Sequence, residues 1–279
     1  MTTVFIGGGR ITSALLAGLR LTSYKQPLIV HDRNAHKLRS LKRDFHVSTE
    51  PHLARALAQA DLLIIAVRPQ DVAGILSKIR GAISKRSTLK SPGTVAGRRR
   101  AIACSLAAGI PLRNLRAALP SSFLWARAMP SPASRFAKGL TAVAFDKNLP
   151  KAARTVVTRF FASFGPVLDV AERHYDAFTV TYSTSHGYHA LSALARAAEK
   201  AGLDRRTALS AAAHALADGI LAWREGNLSL QELLEEAATP GGIAATVMNT
   251  MNGRGYLQTV ERGLQAGIIR ARKNAETWK

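Results

Sequence analysis

The stretch Val4-Phe5-Ile6-Gly7-Gly8-Gly9-Arg10-Ile11-Thr12-Ser13-Ala14-Leu15-Leu16-Ala17-Gly18-Leu19 decides how the rest of the chain is read. Three strand-favouring apolar residues run straight into three glycines, and a helix-like segment over residues 11–20 follows. Glycine suits a turn where backbone must approach a ligand closely, and the helix behind it presents free N–H groups to a pyrophosphate. The pattern is G-x-G-x-x-T, with Thr12 at the third small position. A tight strand-to-helix turn with no ligand would use the same glycines. Its place at the first strand–helix junction is the context that points to dinucleotide binding.

Working outward, the first half alternates short apolar runs with amphipathic stretches. Strands are expected at residues 4–6, 28–31, 62–67, 102–106, 123–128 and 140–144, and a short one at 167–170. Helices are expected at 11–20, 35–43, 51–59, 72–79, 112–118 and 151–164. Strands alternating with helices of this length predict βαβ units and a mostly parallel sheet. From Tyr175 onward the pattern is helical and rich in Ala and Leu: 190–201, 205–224, 229–236 and 256–273. Gly202 before Leu203-Asp204 reads as a helix stop and a new cap, and Pro240-Gly241-Gly242 as a break between helices. The fold class expected is α/β, a Rossmann-like parallel-sheet domain over 1–168 followed by an all-helical domain over 169–279. No internal repeat is found.

The 279 residues hold 39 Lys+Arg against 18 Asp+Glu, a formal charge of +21, with 47% hydrophobic residues. That composition excludes disordered and collagen-like classes. No apolar run approaches the roughly 18 residues of a membrane span, and the N-terminus lacks a signal-peptide pattern, so a cytoplasmic protein is expected. The charge is uneven. Residues 1–165 hold 27 basic and 6 acidic residues, and residues 166–279 hold 12 of each. Such asymmetry suits a phosphorylated small molecule, a nucleic acid or a solvated basic face. Cys104, the single cysteine, lies in a strand-like run and reads as a buried small residue. No metal site is expected, since no His/Glu spacing suggests zinc. A Tyr-x-x-x-Lys pair of the short-chain dehydrogenase type is also missing.

The second strand ends in Val30-His31-Asp32-Arg33-Asn34. An acidic residue here grips the ribose hydroxyls of NAD, whereas an arginine suits the 2′-phosphate of NADP. Both types are present, and Arg33 can pair bidentately with phosphate. With the basic surroundings this favours NADP(H). Capping of the next helix by Asp32 or Asn34 is the structural alternative.

At this point the residues resemble a family. Ile6-Gly7-Gly8-Gly9, Ala14-Leu15, Gly18-Leu19, Ala66-Val67-Arg68-Pro69-Gln70, Ser105-Leu106-Ala107-Ala108-Gly109-Ile110 and Arg127-Ala128-Met129-Pro130 look like the nucleotide-binding half of pyrroline-5-carboxylate reductase. Phe161-Ala162-Ser163-Phe164-Gly165, Asp176-Ala177-Phe178-Thr179 and Thr239-Pro240-Gly241-Gly242 continue the match, in order and at nearly the right spacing. The resemblance implies a Rossmann domain, a helical domain that interlocks with a second copy, and an NAD(P)H-dependent reductase of the proline-biosynthesis type. It places Gly7, Gly9, Arg10 and Ile11 at the pyrophosphate, and Val67, Arg68 and Pro69 on the adenine-ribose side. Ala107, Ala108, Gly109, Met129 and Pro130 would lie near the nicotinamide. The substrate side would fall on Ser185, His186, Thr239, Gly241, Gly242, Ile243 and Ala244, with Gly241 and Gly242 offering N–H groups to a carboxylate.

Four departures bear on the chemistry. The family's M-P-N-T-P-A becomes Met129-Pro130-Ser131-Pro132-Ala133-Ser134, without the asparagine amide. Its S-G-S-G-P-A-Y loop becomes Tyr182-Ser183-Thr184-Ser185-His186-Gly187-Tyr188. The next helix is shorter, with no glutamate near Leu194. G-G-T-T becomes Gly241-Gly242-Ile243-Ala244, and Ala244 lacks the hydroxyl that the resemblance places at the imine nitrogen. Hydride transfer is carried mainly by the cofactor, so the changes argue against the usual substrate more than against the reaction. His186 is the candidate for proton donation, because imidazole titrates near neutral pH; helix capping or plain exposure is the alternative, and is preferred for His189. Residues 84–100 carry six basic residues and no acid, and look like an insertion relative to the family. Lacking aromatics for base stacking, they read as a solvated loop, and nucleic acid is not expected as a partner. The function expected is hydride transfer to the C=N of a small cyclic imino acid by a homodimer or larger assembly. The alternative is a non-catalytic NADP(H)-binding paralogue acting through protein contacts.

Overall fold

The computed structural model describes residues 1–88, 101–119 and 123–276. It divides into two compact units: Met1–Val180 with Gly267–Lys279, and Thr181–Ala266. The division expected at residue 168 falls inside the first of these. The last twelve residues of the basic segment at 84–100 lie outside the described residues.

The first unit runs β1 (Thr3–Ile6), α1 (Arg10–Arg20), β2 (Leu28–His31), α2 (Ala35–Phe45), β3 (Ser48–Thr49), α3 (Leu53–Gln59), β4 (Leu62–Ile65), α4 (Pro69–Thr88), β5 (Ala101–Ser105), α5 (Leu112–Ala118), β6 (Phe123–Pro130), β7 (Thr141–Phe145), α6 (Lys151–Ala162), β8 (Val167–Asp169) and α7 (Tyr175–Thr181). Short 3-10 turns lie at Pro132–Phe136 and Glu172–His174. The eight strands form one sheet in the order β3-β2-β1-β4-β5-β6-β7-β8. All pairings are parallel except β6 with β7.

A parallel sheet has both faces covered, so its inner strands are apolar without a break. β1 and β4 are buried at every position. Alternate residues feed two cores: Phe5, Leu62 and Ile64 join Leu15, Leu19 and Phe160 on one face. Val4, Leu63 and Ile65 join Leu76, Leu115 and Trp125 on the other. β6 follows the same alternation with Phe123, Trp125 and Arg127, so a buried arginine continues a row of aromatics. α1 docks tightly: a β-carbon at Gly18 would overlap the carbonyl oxygen of Ser134.

The second unit contains α8 (Ser185–Lys200), α9 (Arg205–Glu225), α10 (Leu230–Ala237), α11 (Ile243–Gly253) and the first half of α12 (Tyr256–Glu276). α8 and α9 pack together across Gly202, which has φ +104°. The N–H groups of Arg206 and Thr207 donate to Asp204 at 3.0 and 3.1 Å, and the Thr207 side chain together with these N–H groups holds its carboxyl below the usual range. Ser229 and Glu232 form a reciprocal capping box at α10. Buried apolar residues in this unit are alanines only: Ala195, Ala208, Ala212 and Ala245. Larger ones, among them Leu209, Ile220, Leu221, Trp223, Val247 and Met251, are exposed.

Three elements were not expected: β3, α7 and α11. β3 has two residues, too few for an alternation. α11 is rich in Thr, Asn and Met between glycines, a weak helix pattern by propensity. β7 was expected as a strand, but its reversal against β6 was not.

Candidate functional site

Register brings the first half's candidate residues together. His31, Ile6, Ile65, Ser105 and Arg127 lie side by side across five strands. These strands run in the same direction, so the segments that follow them emerge at one edge of the sheet. Those segments contain Gly7–Ile11, Asp32–Arg33, Val67–Pro69 and Ala107–Gly109, and Met129–Pro130 lie beyond the same row at the end of β6. β1 lies between β2 and β4, the reversal point of a doubly wound sheet, where ligands bind outside the carboxyl ends of the strands.

The glycine turn is built at this point. Gly7 has φ +107°, which L side chains rarely adopt, and a β-carbon there would lie 2.8 Å from the Ala66 carbonyl oxygen and 3.2 Å from Val67 Cγ1. Its N–H donates to the His31 carbonyl at 2.8 Å. The buried Thr12 hydroxyl donates to the Gly7 carbonyl, so the third small position closes the turn from beneath. Gly9 is the N-cap of α1, with φ −85° and ψ −173°, and a β-carbon there would meet nothing within 4 Å. The first-turn N–H groups of Arg10, Ile11 and Thr12 have no helical carbonyl to bond. α1 carries no acidic residue in this turn and no side-chain cap. The turn therefore has an open front and unclaimed donors, which fits a pyrophosphate.

Asp32 is tied into that turn. Its Oδ2 accepts the Gly8 N–H and its Oδ1 the Asn34 N–H, both at 2.8 Å. Lys37 Nζ stands 4.0 Å from Oδ2. Asn34, not Asp32, caps α2, accepting from the His36 and Lys37 N–H groups. Arg33 beside it is exposed, as are Arg10 and Arg68. Pro69 opens α4, where its missing N–H costs nothing.

The β5 side is held from behind. Ser105 Oγ accepts the Ala107 N–H at 3.3 Å. Asn274 Nδ2 donates to the Ala108 carbonyl at 3.4 Å, and a β-carbon at Gly109 would overlap the Ala271 carbonyl oxygen. The end of α12 thus supports this loop. At the end of β6, Ser131 turns inward: its hydroxyl is buried and accepts the Ala133 N–H at 2.9 Å. It serves the local 3-10 turn in the place where the resemblance has an asparagine.

In the second unit, Ser185 and His186 open α8 and are exposed. Ser183 Oγ and Ser185 Oγ lie 2.7 Å apart. Gly241 has φ +74°, and the Gly242 N–H donates to the Thr239 carbonyl at 2.8 Å, giving the turn that starts α11, so that N–H, expected to face a carboxylate, is instead taken up by the turn. Ile243 is 87% exposed, and Ala244 beside it is exposed as well. The hydroxyl that returns to the Gly242 carbonyl belongs to Thr246, at 3.0 Å.

Sequence reasoning gave no role to the buried Arg127 and Tyr175 or to the partly exposed Glu172, which form a polar cluster beside β6. The available signal was a charged residue in phase with Phe123 and Trp125. Burial pushes the Tyr175 hydroxyl and the Cys104 thiol well above their ordinary ranges, the Arg127 charge opposing in part. Among the described residues no group of His, Cys, Asp and Glu is placed to hold a metal ion, and no helix is long and apolar enough to cross a membrane.

Residues 2–91 match the family model for NADP oxidoreductase, coenzyme F420-dependent, and residues 172–274 the one for pyrroline-5-carboxylate reductase dimerisation. A Haemophilus influenzae protein named pyrroline-5-carboxylate reductase is 25% identical over 274 residues, covering 96% of both chains. A Mycobacterium tuberculosis protein of the same name is 26% identical over 286 residues, covering 95% of this chain and 94% of that one. The crystal structure of Plasmodium falciparum pyrroline carboxylate reductase with NADP bound superposes with a TM-score of 0.82 at 18% identity, over 99% of this chain and 98% of that one, and so shares the fold.

Proposed function

We propose that the chain is a member of the pyrroline-5-carboxylate reductase family, as its matches over both halves and its full-length relatives suggest, and that it is an NADPH-dependent reductase acting on the C=N bond of a small cyclic imino acid. The observation that carries this reading is the β1–α1 turn, open in front of Gly9 and lined by free N–H groups. When bound, the reduced nicotinamide supplies the hydride. This chain's residues bind and orient: the turn with Arg10 and Ile11 takes the pyrophosphate, and Val67, Arg68 and Pro69 flank the adenosine. Residues 107–109 with Met129 and Pro130 form the nicotinamide side. Both oxygens of Asp32 already accept backbone N–H groups, with Lys37 Nζ 4.0 Å from Oδ2, while Arg33 is exposed to solvent. That division of labour favours the 2′-phosphate of NADPH.

Ser185, His186, Thr239, Gly241, Gly242, Ile243 and Ala244 make up the proposed substrate side. His186 would bring the proton that the imine nitrogen needs when its carbon receives hydride. With Ala at 244 and an exposed Ile at 243, this surface offers less hydrogen bonding than a Thr-Thr pair. A homodimer or larger cytoplasmic assembly through the helical unit fits that unit's alanine-only core and exposed Ile220, Leu221 and Trp223.

The test is purified protein with NADPH and a panel of cyclic imines and their C=O analogues, followed by loss of NADPH absorbance. Turnover on an imine, faster with NADPH than with NADH, is expected. NADPH binding without turnover on any compound would sink the enzymatic reading and leave the non-catalytic paralogue.

A further inference from the structure

We propose that Arg127 is a positioning residue for the nicotinamide side of the site, acting through Glu172 and Tyr175 on the β5–α5 loop and on the end of β6. The proposal rests on the dinucleotide reading of the first unit.

Arg127 is 2% exposed and stands in the register row whose following segments form the proposed site. Its Nη1 donates to Glu172 Oε1 at 3.0 Å, and its Nη2 to Asp176 Oδ1 at 3.4 Å. Its guanidinium carbon lies 4.2 Å from the centroid of the Tyr175 ring. Two connections run from this centre to the site. The same Glu172 Oε1 accepts the Leu112 N–H at 2.8 Å, the first N–H of α5. One oxygen therefore joins Arg127 to the end of the loop that carries residues 107–109. The Tyr175 hydroxyl donates to the Ala142 carbonyl at 3.3 Å, and Ala142 pairs with Met129 across β6–β7.

Stability alone does not call for this arrangement. Well-packed apolar residues generally stabilise a core as well as a buried charge with its ion partners does, and here the arginine is buried while both carboxylates are partly exposed. Here Arg127 Nε and Glu172 Oε2 are buried with no hydrogen-bond partner among the described residues. A guanidinium fork offers what an apolar side chain does not, fixed directions to several groups at once. The groups fixed are those under the proposed nicotinamide side, whereas among the described residues no side-chain hydrogen bond runs from the cluster to the ends of β1 and β2.

That asymmetry is the test. Calorimetry compares NADP with 2′,5′-ADP, which has only the adenosine half, on wild-type protein, Arg127→Met, Arg127→Lys and Glu172→Gln, with melting curves of each. Affinity for 2′,5′-ADP should stay within about twofold for every variant, since displacing one region leaves distant contacts intact. NADP should lose on the order of tenfold in Arg127→Met, and kcat for the imine more than KM, because small misplacements of reacting groups cost rate steeply. Arg127→Lys should recover part of the loss. If Arg127→Met does not fold, Glu172→Gln, which keeps an oxygen for the Leu112 N–H, should show the same divergence in smaller measure. A lower melting temperature with both affinities and kcat unchanged would overturn the proposal, as would equal losses for both nucleotides. Wild-type protein that binds neither nucleotide would overturn the dinucleotide reading, and the proposal with it.

Discussion

Replacing Gly9 with alanine separates folding from binding at the glycine turn. Gly9 has φ −85° and ψ −173°, an extended conformation open to any residue, and its β-carbon would meet nothing within 4 Å. Alanine is a poorer N-cap than glycine by about 0.5–1 kcal/mol. The loss of unfolded-chain freedom offsets this by about 0.4–1 kcal/mol. Apo stability should therefore stay within about 1 kcal/mol, or roughly 2–4 °C in melting temperature for a domain of this size. The added methyl occupies the space into which a pyrophosphate must come, so NADPH affinity should fall by about tenfold or more, equivalent to about 1.4 kcal/mol. Gly7→Ala makes the contrast. There φ is +107° and the β-carbon would sit 2.8 Å from a backbone oxygen, so the cost falls on folding, on the order of 1–3 kcal/mol. Urea melts without ligand and fluorescence titration with NADPH measure the two effects. A Gly9→Ala protein that melts normally and binds NADPH within twofold of wild type would refute the cradle.

Gly18→Ala should destabilise by about 1–3 kcal/mol or more, read in urea melts, because its methyl would overlap the backbone carbonyl of Ser134 and push α1 off the 3-10 turn. Arg33→Ala should weaken NADPH binding by about 1.5–3 kcal/mol if it carries the 2′-phosphate and leave NADH within about twofold; equal losses for both in calorimetry would remove Arg33 from that role. The Cys104 thiol and the Tyr175 hydroxyl are buried as neutral groups with raised pKa values. The unfolded chain thus releases their protons first as pH rises. Stability they support is complete below their ordinary values of 9.0 and 10.0 and is lost above them, by about 1.4 kcal/mol per pH unit for each group. A pH series of urea melts from 7 to 11 that stays flat for wild type would contradict the burial of both.

The fold was legible where sequence pattern and burial are the same thing. Val4-Phe5-Ile6 and Leu62 to Ile65 are apolar at every position because each lies between two covered faces, and the alternation with helices then restricts the topology. Legibility failed where a local pattern is weak or a partner is distant. Ser48-Thr49 is too short to carry a period. The reversal of β7 leaves no mark on its own residues, since an apolar strand reads alike in either direction. In the site, the glycines were legible because backbone geometry restricts the residue type. Asp32 was read as a ribose contact or a helix cap, and the fold instead brings Gly8 to its carboxylate from 24 positions away.

Sequence alone determined the strand–glycine–helix unit, the α/β class, the position of the basic excess and the family resemblance. Each depends on residue types within one short window or on windows in the same order as a family's. Tertiary structure alone decided which groups face one another. It set Ser131 to capping its own turn, gave Asp32 to the Gly8 N–H, and placed Arg127 between Glu172 and Asp176, 45 and 49 positions along the chain. Directional bonds between remote residues arise from strand order and register. The chemistry of a site depends on those directions as much as on which residues are present.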